Sequence, residues 1–201
     1  AVGMECALLE ACFPGCTIAS LGADHHIGNP AEFCRLLSAA EEAANVHPDY
    51  LFTIGVKPTR PETGYGYIHK GSVLCHAAGE AVYEASEFLE KPAADVAECY
   101  VATGDYLWNS NMFVWKARTV LDLYAEFQPA MHATLTKIAA AARTATEREV
   151  IEAEYPTMES IAVDHAILEP APKVATLDGN FDWGDIGSWA ALTSVIAADT
   201  D

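Results

Sequence analysis

Residues 50–64 read YLFTIGVKPTRPETG, a short β-rich run followed at once by a polar loop. The run from Tyr50 to Val56 is rich in aromatic and β-branched residues, which favour a pleated, buried strand. The loop at residues 57–64 contains two prolines and a glycine, which are typical of a chain that leaves a strand and turns. We therefore predict a buried strand whose carboxyl end carries a polar loop.

The same alternation of strands and helices extends from this segment in both directions. Helix-like spacing covers Val2 to Cys12, a short strand is expected at residues 16–21, and Asn29 is positioned to cap a helix that ends near Asn45. This alternation is typical of an α/β fold with a mostly parallel central sheet and flanking helices, here in one domain over residues 1–201. The other predicted elements are strands at 65–70, 81–89, 113–116 and 173–177, and helices at 93–103, 117–127, 129–154, 160–169 and from 188 onwards.

The charge and the hydrophobic pattern of the chain limit the kinds of binding partner that we expect. The chain has 11 basic and 29 acidic residues, for a formal charge of −18. A surface of this sign repels nucleic-acid backbones and anionic lipids, so we expect neither as a partner. No apolar run approaches the ~20 residues that a membrane span needs, and no stretch has the pattern of a secretory leader. We therefore expect a cytoplasmic protein.

Two aspartates are candidates for a metal site. Asp24 follows the predicted strand at residues 16–21, and Asp185 lies in the glycine-flanked segment FDWGDIGSW at residues 181–189. In α/β sheets, ligands bind beyond the carboxyl ends of the strands, and Mg²⁺ takes one or two carboxylates while keeping waters and phosphate oxygens. The same spacing equally fits a loop residue and a residue at a helix start, so both interpretations stand.

Three further polar segments are able to bind a ligand, and each has a purely structural alternative. Glu90 and Lys91 end a predicted strand, where they could meet a sugar hydroxyl and a phosphate or form a surface ion pair. The glycines in GYG at residues 64–66 allow close backbone approach to a ligand, or else the segment forms a hairpin. The segment WNSNMF at residues 108–113 binds a polyol or forms a turn.

Nothing in the sequence indicates covalent catalysis. The seven histidines have no metal-ligand spacing, and the six cysteines contain no Cys-x-x-Cys pair. No Gly-x-Ser-x-Gly motif and no nucleophile–base pair is apparent. We expect the cysteines to be reduced structural thiols.

Taken in order, six motifs resemble those of one family. They are GADHHI (22–27), PTRPETGYGYI (58–68), FLEKP (88–92), GDYLWNSNMF (104–113), SIAVDHAILE (160–169) and WGDIGSW (183–189). With these motifs the sequence resembles the mannose-1-phosphate guanylyltransferases along nearly its whole length, and the segment 58–68 is highly specific. The resemblance implies a Rossmann-like α/β fold of the nucleotide-diphospho-sugar transferase type.

The resemblance also implies a reaction and a set of site residues. GTP and mannose 1-phosphate would give GDP-mannose and pyrophosphate, with Asp24, Lys91 and Asp185 as the catalytic residues. Mg²⁺ would be held by Asp24 and Asp185, and Lys91 would meet the sugar phosphate. The positions that the resemblance assigns to the sugar are Gly64, Tyr65, Gly66, Glu90, Asn109 and, at an acidic family position, Asp164.

The chemistry of this reaction agrees with the absence of a nucleophile–base pair. A sugar phosphate is already an anionic nucleophile at neutral pH, so no general base is required. The enzyme has to hold two mutually repelling anions in line and spread the charge that develops at the α-phosphorus. A metal ion and a lysine are suited to that task.

The sequence departs from the family in two ways, and alternatives remain. The family begins with a strand and a Gly-rich, Arg-bearing loop that grips the triphosphate, and no segment here matches it, so we expect an N-terminally incomplete domain. Asn111 stands where the family usually has glycine. The alternatives are a transferase for another hexose 1-phosphate or nucleotide, and a non-catalytic sugar-nucleotide-binding module. The protein could form a homodimer, which the sequence does not decide.

Overall fold

The structure is a computed structural model that describes residues 1–187. Six strands form one mixed sheet, and two short strands form a second. A single turn of 3₁₀ helix at Tyr155–Thr157 and a π-helical turn at Asp164–Leu168 complete the described elements. The helices are α1 (Val2–Cys12), α2 (Pro30–Val46), α3 (Ala94–Thr103), α4 (Ala117–Phe127), α5 (Pro129–Ala141) and α6 (Glu147–Glu154), and the strands are β1 (Thr17–Ser20), β2 (His25–Ile27), β3 (Leu51–Val56), β4 (Tyr67–Ala77), β5 (Glu80–Leu89), β6 (Tyr106–Lys116), β7 (Val174–Gly179) and β8 (Trp183–Asp185).

The central sheet has the strand order β1-β6-β3-β7-β5-β4, and β6 also pairs with β4. The α/β class is confirmed, but the prediction of a mostly parallel sheet is wrong. Among the described strands only β3 and β7 run parallel, whereas the other pairings of this sheet are antiparallel. The tight turn at Ala78 and Gly79, both with positive φ, folds β4 and β5 into a hairpin, so no helical crossover returns the chain in the same direction.

Two apolar cores lie on opposite faces of the sheet. Neighbouring residues of β3 belong to different cores, because successive strand side chains point to opposite faces: Leu51 packs with α1, α4 and α5, whereas Phe52 packs with α2. Helices therefore cover both faces of the sheet. Full burial of each leucine, isoleucine or phenylalanine in these cores contributes about 1.5–3 kcal/mol.

The helix α2 begins as the sequence predicts. The Asn29 side chain accepts a hydrogen bond from the Glu32 backbone N–H at 3.2 Å, and Pro30 occupies the first turn. The Asn29 backbone N–H also donates to the Phe181 carbonyl at 3.0 Å. This bond ties the start of α2 to the segment that precedes β8.

Four element predictions need correction. The predicted helix at 129–154 is two helices, because Arg143 has a φ of 59° and interrupts the helical backbone after α5. The predicted helix at 160–169 is only a π-helical turn, and the strand predicted at 113–116 begins earlier, at Tyr106. The strand predicted to start at residue 65 begins at Tyr67 and continues to Ala77.

Two further points concern the limits of the described chain. The helix predicted from Ser188 lies outside the described residues. Within residues 1–187, every helix is either too short or too polar to cross a lipid bilayer.

Candidate active site

The small β2–β8 sheet brings Asp24 and Asp185 together from distant parts of the sequence. In this sheet His25, the residue after Asp24, pairs directly with Asp185. The Ile186 backbone N–H donates to the Asp24 carbonyl at 3.3 Å. Asp24 lies in the turn between β1 and β2, and Asp185 is the last residue of β8. The predicted proximity of the two residues is therefore present at the backbone.

The donor set at this position fits a magnesium ion. Within residues 1–187, no group of three or more histidine, cysteine, aspartate or glutamate side chains comes together as metal ligands. Two carboxylates are nevertheless what Mg²⁺ commonly takes from a protein, since it keeps waters and substrate phosphate oxygens as its other ligands. A pair of hard oxygen donors without histidine or cysteine is also unsuited to a closed zinc site.

A second group of residues, here called the polar pocket, consists of Gly66, Glu90, Lys91, Asn109 and Asp164. The Asn109 backbone N–H donates to the Gly66 carbonyl at 2.8 Å, and the Asn109 side chain donates to Asp164 Oδ1 at 3.0 Å. A Cβ added to Gly66 would lie 2.3 Å from Glu90 Oε2 and 3.2 Å from Asn109 Cβ. These contacts bring together most of the residues that the resemblance assigns to the sugar.

The polar pocket holds two carboxyl groups that are poorly solvated. Burial, and then the nearby charge of Asp164, raise the pKa of Glu90, while burial raises the pKa of Asp164. Lys91 Nζ lies 3.3 Å from Glu90 Oε1, but the lysine side chain is 64% exposed and solvent screens this ion pair. Glu90 Oε2 is buried and accepts no hydrogen bond within the described chain. A buried acceptor without a donor is costly, and a ligand hydroxyl would satisfy it.

Tyr65 connects the polar pocket with the two aspartates. Its ring lies 5.3 Å from the Trp108 ring and 5.3 Å from the Trp183 ring, both in edge-to-face geometry. Burial, and then the charge of Asp185, raise the pKa of the Tyr65 hydroxyl. The two candidate sites therefore lie next to each other, as a metal and a sugar phosphate would require.

Comparison with known proteins identifies the family of this chain. A family model described as nucleotidyl transferase matches residues 5–201. The chain belongs to the nucleotidyl transferase family. Its curated relatives include the mannose-1-phosphate guanylyltransferases of Klebsiella pneumoniae, 35% identical over 180 residues, and of Escherichia coli, 34% identical over 180 residues. Each alignment covers 89% of this chain and 38% of the relative.

A solved structure shares the fold of this chain. It is described as a mannose-1-phosphate geranyltransferase from Thermus thermophilus, with a TM-score of 0.83 and 30% identity. The match covers 99% of this chain and 56% of that one. The resemblance that the six motifs indicated is confirmed, and the chain spans less than half the length of the two curated relatives.

Not every predicted site residue reaches the polar pocket. A Cβ added to Gly64 would meet only the side chain of Glu62, which also accepts the Gly64 backbone N–H at 3.1 Å. No contact among the described residues joins Gly64 to Glu90 or Asn109. Its role beside the sugar stays a prediction.

Three further side chains lie at the site, although no sequence pattern singles them out. Arg60 lies over the Trp108 ring, 5.4 Å from its centroid, and adds a cation beside the polar pocket. The indole N–H groups of Trp108 and Trp183 are buried and have no acceptor within residues 1–187. All three residues are in the quoted motifs, but only their packing around Tyr65 distinguishes them from ordinary loop and strand residues.

Proposed function

We propose that the full-length protein transfers a guanylyl group from GTP to mannose 1-phosphate, giving GDP-mannose and pyrophosphate. The observation that carries this proposal is the adjacency of Asp24, directly before β2, and Asp185, in the paired strand β8, to a polar pocket with a buried, unpartnered carboxylate oxygen. The names of the curated relatives support the choice of nucleotide and sugar. The cytoplasm as location, and the absence of nucleic-acid and membrane partners, stay predictions.

The polar pocket has the chemistry of a sugar site. Glu90 Oε2 is positioned to accept a hydrogen bond from a hydroxyl, and the Asp164 carboxylate provides further acceptor capacity. Gly66 allows the Glu90 carboxylate to lie against its backbone, because any side chain at this position would clash with Glu90 Oε2. The exposed Lys91 is free to swing towards an anion at the pocket mouth, where its charge would orient the sugar phosphate.

The reaction forms one P–O bond and breaks another. A phosphate oxygen of the sugar phosphate attacks the α-phosphorus of the nucleotide, and the bond to the β-phosphate oxygen breaks, so that pyrophosphate leaves with the electron pair. No proton has to be removed from the nucleophile. Mg²⁺ bound by Asp24 and Asp185 would supply charge neutralisation at the phosphates. The residues of the chain have to hold the two anions in line and close together.

Local cations are needed because the chain as a whole repels its proposed substrates. With a formal charge of −18, the long-range field opposes the approach of a triphosphate and a sugar phosphate. Arg60, over the Trp108 ring, and Lys91, beside Glu90, both place a cation at the site. Binding should therefore depend on the divalent cation concentration as well as on the sugar.

An activity panel tests the proposed function. Pyrophosphate release by the full-length protein should be fastest with GTP and mannose 1-phosphate, should require Mg²⁺ and should stop when a chelator is added. Activity with a different nucleotide or hexose 1-phosphate would support a nucleotidyl transfer reaction but contradict the proposed choice of substrates. Calorimetric binding of GDP-mannose without turnover of any pair would reject the enzyme in favour of a binding module.

Glu90→Gln should separate activity from stability. Because burial and Asp164 raise the pKa of Glu90 in the folded state, folding favours its protonated form, and this contribution to stability is lost as the pH rises through the folded pKa. The glutamine variant carries no ionisable group, so it should unfold at a higher temperature than the wild type at pH 7. Its kcat/KM for the sugar phosphate should fall roughly 10- to 100-fold, because a charge-assisted acceptor is lost.

Thermal unfolding followed across pH 4–8 checks this prediction. As the pH falls below about 4.3, the ordinary pKa of a glutamate, the difference in Tm between Glu90→Gln and the wild type should shrink. Glu41→Gln, on the exposed surface of α2, is the matched control and should change neither Tm nor activity. A Glu90→Gln variant less stable than the wild type at pH 7 would contradict the assignment of Glu90 as an unsatisfied buried acid.

A further inference from the structure

The strand β6 contains an irregularity directly beside the polar pocket. Thr53 pairs with Phe113 and Gly55 pairs with Asn109, so one residue of β3 faces three residues of β6. Asn111 is the exposed residue of this bulge and has a φ of 54°. Asparagine tolerates this left-handed conformation better than most side chains, yet regular strands do not contain it. Bulges of this kind re-aim side chains next to active sites.

The bulge encloses the Asn109 side chain in hydrogen bonds. Asn109 Nδ2 donates both to Asn111 Oδ1, at 2.8 Å, and to Asp164 Oδ1, at 3.0 Å. Asn109 Oδ1 accepts from the Asn111 backbone N–H at 3.1 Å and from Thr53 Oγ1 at 3.4 Å. An amide has two hydrogens and two lone pairs to offer, and all four are used here. The residue is also only 3% exposed.

Asn111 has the opposite character. Its carbonyl oxygen is taken by Asn109, which fixes the orientation of its amide plane. Its Nδ2 group has no hydrogen-bond partner among residues 1–187, and the residue is exposed. Two outward amide hydrogens are therefore held beside the pocket that Glu90 and Asp164 line with acceptors. Donors and acceptors of this kind together match a polyol, whose hydroxyls both donate and accept.

We propose that Asn111 Nδ2 donates to a hydroxyl of the bound sugar, and that the hydrogen bonds of Asn109 orient Asn111 and Asp164 for this contact. The proposal rests on the proposed function in that it needs a sugar phosphate in the polar pocket, but it does not depend on which hexose is bound. It makes Asn111 a specificity-determining residue, because a fixed donor distinguishes hydroxyl configurations at one position of the ring.

The test combines Asn111→Gly with a set of substrate analogues in the full-length protein. Asn111→Gly should raise KM for the sugar phosphate about three- to tenfold, the value of one neutral hydrogen bond, with little change in kcat. Monodeoxy analogues of the sugar phosphate should then identify the partner. With one of these analogues, kcat/KM of the wild type should fall by a similar factor, whereas kcat/KM of Asn111→Gly should fall no further.

Two controls exclude a structural explanation. Glycine is unstrained at a φ of 54°, so Asn111→Gly should lower Tm only by the loss of the hydrogen bond from Asn109 Nδ2 to Asn111 Oδ1. Ala78→Gly, at the β4–β5 turn with a φ of 47°, is the matched change away from the pocket and should leave every KM unchanged. If the substitution acted only by loosening Asn109, it would weaken the recognition of every sugar hydroxyl and not of a single one.

The outcomes distinguish this inference from the proposed function. An unchanged or lower KM in Asn111→Gly, or analogues that lose the same factor in both proteins, would overturn the role of Asn111. If the wild type prefers another hexose 1-phosphate, the choice of mannose fails, and the same series made from the preferred sugar still tests Asn111.

Discussion

Replacing Asp185 with asparagine should lower kcat/KM for pyrophosphate release by about a thousandfold or more, because a metal ion at the phosphates is worth several kcal/mol of transition-state stabilisation. The fold should be retained. Asparagine has the shape of aspartate, and the pairing of Asp185 with His25 uses backbone groups only. Circular dichroism, with Tm values measured without Mg²⁺, should therefore match the wild type.

The control for this prediction is Asp182→Asn. Asp182 is an exposed carboxylate three positions earlier, and its φ of 53° is one that asparagine adopts readily. The same loss of charge there should leave kcat/KM within about twofold of the wild type, as expected for a surface substitution. Retained activity in Asp185→Asn, or an equal loss in Asp182→Asn, would remove Asp185 as a metal ligand.

Gly66→Ala should have the second-largest effect. The new methyl group would lie 2.3 Å from Glu90 Oε2, closer than real Cβ contacts allow, so the Glu90 carboxylate has to move. Because the Gly66 carbonyl also holds the Asn109 backbone N–H at 2.8 Å, the strand has little freedom to relax instead. Misplacement of a binding group by about 1 Å costs about a hundredfold in kcat/KM, and overpacking costs about 1–3 kcal/mol in stability.

Gly64→Ala provides a matched control within the same motif. A Cβ at Gly64 would lie 3.3 Å from Glu62 Oε1, the end of an exposed side chain that is able to move aside. The Tm values of the two alanine variants should therefore differ sharply, with Gly64→Ala close to the wild type in thermal unfolding. A Gly66→Ala protein with normal KM and kcat would show that the position of the Glu90 carboxylate does not matter for substrate binding.

Local sequence signals determined much of the secondary structure. The bounds of α1 agree with the prediction, and α2 begins at the predicted cap, because helix periodicity and capping depend on residues within a few positions of one another. Local signals failed where a single backbone angle decides the outcome. Ala142 and Arg143 are unremarkable residues in a helix-favouring segment, yet the ψ of 132° at Ala142 and the positive φ of Arg143 take the backbone out of the helix.

The site could be predicted in part. The motifs contain every residue of the polar pocket, and the structure brings Gly66, Glu90, Lys91, Asn109 and Asp164 together. What no motif indicates is which hydrogen bonds are already used within the protein. Asn109 and Asn111 look alike in the sequence, and only the bulge in β6 makes one a buried, saturated amide and the other an exposed donor.

By itself, the sequence determined the α/β class, the family and the residue types that the chemistry needs, since these depend on local periodicity and on ordered motifs. Tertiary structure alone decided the direction of the strands and the meeting of Asp24 with Asp185. Strand direction follows from which distant segments pair, and a predicted strand carries no mark of its partner. The two aspartates become neighbours only because β2 and β8 exchange backbone hydrogen bonds, a long-range choice that the whole packed core makes.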